Sequence, residues 1–291
     1  MDWALCERIE IMRIILAKSA GFCFGVKRAT RMAFDATEEH DHLSSLGPII
    51  HSPQLVRQLE EKGVRVVDEV PAAGEGAVII RSHGVTRGEM EQIARRQLEV
   101  VDATCPFVKK AQEFAAELSA DGYHLVLVGE EEHPEVQGIV SYGEEGRVSV
   151  VADPEAAERL PRSSKIGVIA QTTQSFDNFN AIVGVCLRKA KEVRVYNTIC
   201  DATSVRQQEA KSLAARVDLM LVVGGRNSAN TTRLAVICRE LQDNTRHIET
   251  ADDLEPGWLE GVETVGLTAG ASTPSWLIEQ VVARLETLAG T

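Results

Sequence analysis

GFCFGVKRA at 21–29 decides the fold, because the chain repeats it as ATCPFVKKA at 103–111 and as TICDATSVRQ at 198–207. Each copy sets a cysteine (Cys23, Cys105, Cys200) between a short apolar run and a helical stretch with a basic residue near its start. The segments downstream correspond too. LGPIIHSPQLV (46–56), VGEEEHPEVQG (128–138) and VGGRNSANTTRL (223–234) each read as a strand end, a polar loop and a helix. Further on, IIRSHGVT (79–86), VIAQTTQS (168–175) and GLTAGAST (266–273) each end a strand in small and hydroxylated residues. His51 follows Cys23 at the interval at which His133 follows Cys105 and Ser228 follows Cys200. Such self-similarity marks a repeated supersecondary unit.

Around these copies the chain alternates β-branched runs with amphipathic stretches. RIILA (13–17), AVIIRS (77–82), LVLVG (125–129), KIGVIAQ (165–171), LMLVVGG (219–225) and TVGLTAG (264–270) have the continuous apolar character of buried parallel strands. PQLVRQLEEKG (53–63), KKAQEFAAELSADG (109–122) and TTRLAVICRELQ (231–242) read as helices. Pro53 stands near a helix start, and Gly63 and Gly122 at helix ends. Strand–helix alternation means α/β architecture. The expectation is three similar α/β domains with small parallel sheets, at 13–97, 98–192 and 193–291, in a pseudo-threefold arrangement. Ligands collect at the carboxyl ends of strands in such sheets, where every polar segment above lies, so three thiols would face one centre.

Bulk properties narrow the function. A length of 291 residues suits more than one core. A net charge of −12 lacks the basic footprint of a nucleic-acid binder, so no nucleic-acid partner is expected. No apolar run is long enough to cross a bilayer, and MDWALCERIEIM carries acids where a signal peptide needs bases; a cytoplasmic protein without a membrane partner is expected. In that compartment six cysteines are not disulfides. No C-x-x-C pair occurs, so metal-binding thiols would have to come from distant segments.

Three thiolates can hold a 4Fe–4S cluster by three irons and leave the fourth open, and a cysteine preceding a helix is favoured as thiolate by the helix dipole. A lone cysteine is more often a small buried hydrophobe. That reading is kept for Cys186 and Cys238, inside helical patterns, while Cys6 lies in an extension before Met12. His51 and His83 sit on strand-end loops, either as hydrogen-bonded surface residues or as diphosphate ligands with Ser228, Asn230 and Ser272. Gly224, Gly225, Ala229, Gly270 and Ala271 would let the backbone approach phosphate oxygens. His133 and Glu135 form the best acid–base candidate, since a carboxyl in a closed pocket titrates near neutrality. Glu130, Glu131 and Glu132 read as a solvated turn. Thr172 and Thr173 either cap a strand end or relay a proton and orient a substrate alcohol.

Taken together, GFCFGVKRA, IIHSPQLV, RSHGVT, DATCPFV, GEEEHPEVQG, QTTQS, NTICDAT, GGRNSANTTRL and TAGAS resemble, in order, the motifs of the 4-hydroxy-3-methylbut-2-enyl diphosphate reductase family. The resemblance runs from about Arg13 to the C-terminus. It implies a 4Fe–4S cluster central to the fold, held by Cys23, Cys105 and Cys200. It implies an allylic diphosphate substrate whose hydroxyl binds the open iron near Thr172, and protons supplied by Glu135 with His133. His51, His83, Ser228, Asn230 and Ser272 fall on the family's diphosphate-binding positions, and Thr173 and Ala229 are counted with them as substrate-binding candidates. Two electrons and two protons would expel the hydroxyl as water and give isopentenyl or dimethylallyl diphosphate. A ferredoxin or flavodoxin is the electron donor the resemblance implies. One departure is Ala229, where many relatives carry Ser or Gly. Two other readings use the same thiols: a hydro-lyase that needs no reductant, and a zinc-stabilised scaffold that would be colourless.

Overall fold

The structure, a computed structural model, describes residues 12–290, so Cys6 lies outside the described residues. In chain order the elements are β1 (Arg13–Leu16), α1 (Phe24–Glu39), β2 (Leu43–Leu46), α2 (Pro53–Glu61), β3 (Val64–Val67), β4 (Ala77–Ile80), α3 (Arg87–Arg95) and β5 (Glu99–Asp102). They continue with α4 (Pro106–Ala120), β6 (His124–Val128), α5 (Pro134–Val140), β7 (Val148–Val151), α6 (Pro154–Glu158), β8 (Ser163–Ala170), α7 (Phe176–Lys189) and β9 (Ala190–Val195). The last are α8 (Asp201–Ala214), β10 (Leu219–Val223), α9 (Ala229–Arg239), β11 (Thr245–Ile248), β12 (Thr264–Ala269) and α10 (Ser275–Ala289).

The strands form three four-stranded sheets in the orders β3-β2-β4-β5, β7-β6-β8-β9 and β11-β10-β12-β1. Every pairing is parallel. Numbered within its own sheet, each therefore reads 2-1-3-4. In the third sheet the fourth place is taken by the chain's first strand, since Arg13 to Leu16 pair with Thr264 to Leu267. The connectivity is thus a threefold repeat permuted circularly. This corrects the expected domain boundaries at 97/98 and 192/193. Strand β1 leaves the first lobe, β5 joins it through Ile80–Asp102 pairing, and β9 runs to Val195 in the second. In every repeat the cysteine follows the fourth strand of one sheet and opens the helix that leads to the first strand of the next.

By compactness the chain divides into residues 22–205, holding the first two sheets, and residues 12–21 with 206–290, holding the third. Each sheet is buried on both faces. Val126, Val168 and Ala170 face a cluster with Phe179, Ile182 and Val185 of α7, whereas Leu125, Leu127 and Ile169 face Ala111, Ala115 and Leu118 of α4 and Ile139 of α5. The same split divides the other two sheets. Burial on both faces is why the central strands are continuous apolar runs. All six expected strands are present. Of the six that the apolar criterion passes over, β3, β5, β7, β9 and β11 are sheet edges, where EVVD and TRHI mix charge into the strand. The sixth, β2, is the buried LSSL, whose serine hydroxyls donate to Ala73 O (2.8 Å) and Gly47 O (2.7 Å).

Helix α4 lies close on β8 because Gly167 has no side chain; a Cβ there would stand 2.7 Å from Leu118 Cδ2. Leu118 is fully buried. Leu118→Ala is expected to cost about 2–5 kcal/mol by lost burial plus cavity. Urea denaturation checks this; a loss below about 1 kcal/mol would mean that α4 does not rest on this contact.

Candidate active site

In a 2-1-3-4 sheet the first and third strands leave toward opposite sides, and the loops after them form a crevice. The second sheet puts GEEEHPE after β6 and QTTQ after β8 across from each other. There Glu135, in the first turn of α5, accepts hydrogen bonds from Thr172 N at 2.6 Å and Thr172 Oγ1 at 2.9 Å. Glu135 is 2 % exposed. Burial pushes its carboxyl up to about 7; the two Thr172 bonds oppose this and the Glu130 charge adds to it. A carboxyl half-protonated at neutral pH both gives and takes protons.

His133 caps α5, its Nδ1 accepting from Glu135 N at 3.1 Å, so its remaining proton sits on Nε2. In the first sheet the loops after β2 and β4 carry His51 and His83. Their rings lie 4.2 Å apart, and His133 stands 5.5 Å from each. Burial lowers His51 and His133 to about 4 and His83 well below its ordinary value, with the Arg81 charge adding to all three. Before ligand binds, the three rings are therefore neutral at pH 7. His83 Nδ1 is buried without a hydrogen-bond partner. An anion arriving here would meet N–H groups and the half-buried Arg81 guanidinium, and would draw protons onto the rings.

The three thiols occupy the same unit. Cys23 caps α1, its Sγ accepting from Val26 N at 3.5 Å, and Cys105 caps α4. Cys200 precedes α8, its Sγ 3.0 Å from Thr203 Oγ1. Backbone bonds tie two of them to the crevice loops: Cys105 N donates to Ser82 O at 2.9 Å, and Cys200 N donates to Thr172 O at 3.1 Å. A Cβ on Gly25 would stand 2.6 Å from Cys105 Sγ and 4.0 Å from Cys23 Sγ, so α1 and α4 start side by side. The Arg28 guanidinium holds that approach by donating to Thr104 O (3.2 Å) and Asp102 O (3.4 Å).

One sequence expectation is reversed. Burial, the largest effect, raises Cys105 to about 11; the Phe107 and Val108 amides pull it down, and Cys23 and Cys200 push it further up. Burial raises Cys200 as well, against its bonds to Thr203 and with Cys23 and Glu135 adding to the rise. Desolvation and mutual repulsion outweigh the helix dipole, so thiolates here need a cation beside them. Among the described residues no three His, Cys, Asp or Glu side chains close on a point fit for one ion. Cys186 and Cys238 are fully buried in apolar clusters, as expected.

The other unit builds the same crevice from the loops after β10 and β12. Gly224 (φ +140) and Gly270 let them meet: a Cβ on either would collide with Thr273 or Thr231 Oγ1. Ser228 caps α9 by accepting from Thr231 N at 3.4 Å, with Ala229 in the first turn behind it. Asn230 is 5 % exposed, and neither its Oδ1 nor its Nδ2 has a partner. Ser272, also buried, sits on the facing loop. A buried amide with no partner is costly in a protein without a ligand. Thr173 follows Thr172 in the second sheet's loop and is half-buried.

Arg81, Gly25 and Arg28 were not singled out from the sequence. Gly25 was legible: glycine in the first turn of a helix is unfavourable unless something approaches closely. Arg81 ends the strand AVII and could have been read as the cation of its crevice. Nothing in the pattern marked Arg28.

Comparison with known proteins gives consistent results. A family model described as LytB protein matches residues 14–286. A 4-hydroxy-3-methylbut-2-enyl diphosphate reductase of Syntrophotalea carbinolica is 63% identical over 274 residues, covering 94% of this chain and 98% of its own. The enzyme of that name from Geobacter sulfurreducens is 62% identical, covering 94% and 97%. A solved structure of (E)-4-hydroxy-3-methyl-but-2-enyl diphosphate reductase, described as the terminal enzyme of the non-mevalonate pathway, is 45% identical with a TM-score of 0.67, over 95% of this chain and 99% of that one. The E-1-hydroxy-2-methyl-but-2-enyl-4-diphosphate reductase of Plasmodium falciparum is 24% identical with a TM-score of 0.88, over 94% and 87%, a likeness of fold.

Two outcomes test this geometry. Gly25→Ala is expected to keep the fold, judged by circular dichroism, while lowering the iron bound after anaerobic reconstitution; undiminished iron would show that the thiols do not share one enclosure. Glu135 titrates higher folded (about 7) than its ordinary value of 4.5. Its contribution to stability is therefore full below about 4.5 and lost as pH rises through about 7. Glu135→Gln is expected to raise the melting temperature at pH 8 and leave it nearly unchanged at pH 5, and equal shifts at both would contradict the buried acid.

Proposed function

The chain belongs to the LytB protein family, and from that membership we infer that it catalyses reductive dehydroxylation of (E)-4-hydroxy-3-methylbut-2-enyl diphosphate to isopentenyl and dimethylallyl diphosphate. It is an oxidoreductase of isoprenoid biosynthesis, acting at the last step of the non-mevalonate pathway. The substrate gains two electrons and two protons; its C–O bond breaks and water leaves. No helix among the described residues is long and apolar enough to cross a membrane, and the expected cytoplasmic setting is part of the same proposal.

The observation that carries the cofactor assignment is that Cys23 and Cys105 meet beside the empty Cβ position of Gly25, with Cys200 near enough for its charge to act on Cys105. Three soft donors, two of them beside a glycine that adds no side chain, fit a 4Fe–4S cluster. When bound, that group would supply the electrons and an open iron as Lewis acid for the substrate hydroxyl.

The remaining steps belong to the chain's own residues. Thr172 Oγ1, which donates to Glu135 Oε2, orients the substrate alcohol and passes protons from Glu135 to the departing oxygen. Glu135 is suited to this because burial keeps it protonated near neutrality. His133, bonded to the Glu135 amide, fixes the acid's position and offers its Nε2–H to the substrate. His51, His83 and His133 bind the diphosphate, their neutral rings taking up protons as the anion arrives, and Arg81 adds a fixed charge. By the family resemblance Ser228, Ala229, Asn230 and Ser272 are diphosphate-binding candidates and Thr173 a substrate-binding one; Ser228, Asn230 and Ser272 are buried, and the Asn230 amide has no hydrogen-bond partner.

The decisive assay uses anaerobically purified chain, the allylic diphosphate and a reduced viologen dye. Substrate-dependent dye oxidation is expected in the wild type and background rates in Cys105→Ser. Turnover without reductant would establish the hydro-lyase reading instead, and a colourless zinc protein the scaffold reading.

A further inference from the structure

Among the described residues the exposed Phe, Tyr and Trp rings are those of Phe24, Phe107 and Phe176, and the first two lie in the first turns of cysteine-capped helices. Phe24, the residue after Cys23, is 66 % exposed; Phe107, two after Cys105, is 41 % exposed. Both belong to the unit of residues 22–205. Their helices begin side by side, since Gly25 abuts Cys105 Sγ and Arg28 donates to Thr104 O and Asp102 O.

The charges around them repeat as well. On α1, Lys27 and Arg31 follow Phe24 at i+3 and i+7, hence on one face, and both are exposed. No acid occurs in α1 before Asp35. On α4, exposed Lys110 follows Phe107 at i+3, beside Lys109. Neither helix has an acid in its first turn. Lys109 pairs with Asp102 and Lys110 with Glu113, the latter pair solvent-exposed on both sides and so weak. Helix α8, by contrast, has an acid, Asp201, in its first turn. In a chain of net charge −12, these exposed rings and the basic residues beside them are a local reversal of sign at the two helix starts that carry Cys23 and Cys105.

We propose that this face is the docking surface for an acidic one-electron carrier protein. The proposal rests on the reductase reading above. An exposed apolar centre with a charged rim is the form of a transient interface, in which charge steers encounter and the apolar contact orients it. Docking here brings the carrier's redox centre against the two cysteine-bearing helix starts. Each encounter oxidises the carrier by one electron, so two encounters supply the pair that, with two protons, converts the alcohol to the alkene and water.

The test uses the reconstituted chain and the double variant Lys27→Glu/Lys110→Glu, with Phe24→Ser/Phe107→Ser as an uncharged counterpart. An acidic ferredoxin is the probe. Its binding is measured by titration calorimetry at low and high salt, and turnover with either reduced ferredoxin or reduced viologen. The expected result is at least tenfold weaker binding in both double variants, a salt dependence much reduced in the charge variant, and loss of ferredoxin-driven turnover with viologen-driven turnover retained. Binding that is absent in wild type or equal in all three proteins would overturn the proposal, as would equal loss with both reductants. Wild type inactive with viologen would overturn the reductase reading itself.

Discussion

The placement of Cys23 and Cys105 depends on the approach of α1 to α4 at Gly25. The two helices can start against each other only because no Cβ fills the 2.6 Å to Cys105 Sγ, and Arg28 donates across the seam to the segment entering α4. That contact fixes two thiols. The third arrives through Cys200 N, bonded to the carbonyl of Thr172. The thiol enclosure and the acid–base pair are thus parts of one hydrogen-bonded frame, because Thr172 also donates to Glu135. Moving any of these residues disturbs both the thiols and the Glu135 carboxyl.

Burial has opposite uses on the groups it surrounds. It raises Glu135 to about 7, so a proton is held where an exposed carboxyl would have lost it. It lowers His51 and His133 to about 4, which leaves the rings neutral until an anion arrives. It raises Cys105 to about 11 and raises Cys200 as well, which disfavours both as free thiolates. One physical cause, removal of charge from water, moves carboxyl and thiol up and imidazole down, in each case toward the neutral form.

Much of this was legible in the sequence because function is attached to the repeat. Central strands buried on both faces announce themselves as apolar runs, and the three motif sets after them fall at equivalent strand ends. The edge strands did not show, since half-solvated residues such as those of EVVD and TRHI lose the apolar signal. Boundaries were misplaced for a related reason: nothing local in RIIL reveals that its partner strand lies at Thr264–Ala269. Cys23, Cys105 and Cys200 were singled out by repetition and Glu135 by its place at a strand end, and the structure ties Cys200 and Glu135 alike to Thr172. The rise in the Cys105 and Cys200 pKa values depends on how deeply the helix starts are buried, and no sequence spacing encodes that.

The central claim is that three thiols from three sheet junctions hold one cluster and leave one iron to the substrate. Mössbauer spectroscopy of the anaerobically reconstituted, iron-57-labelled chain tests it most directly. Three irons with sulfur-only coordination and one with a distinct signal that changes on adding the allylic diphosphate is the expected result. Four equivalent irons unmoved by substrate would contradict it.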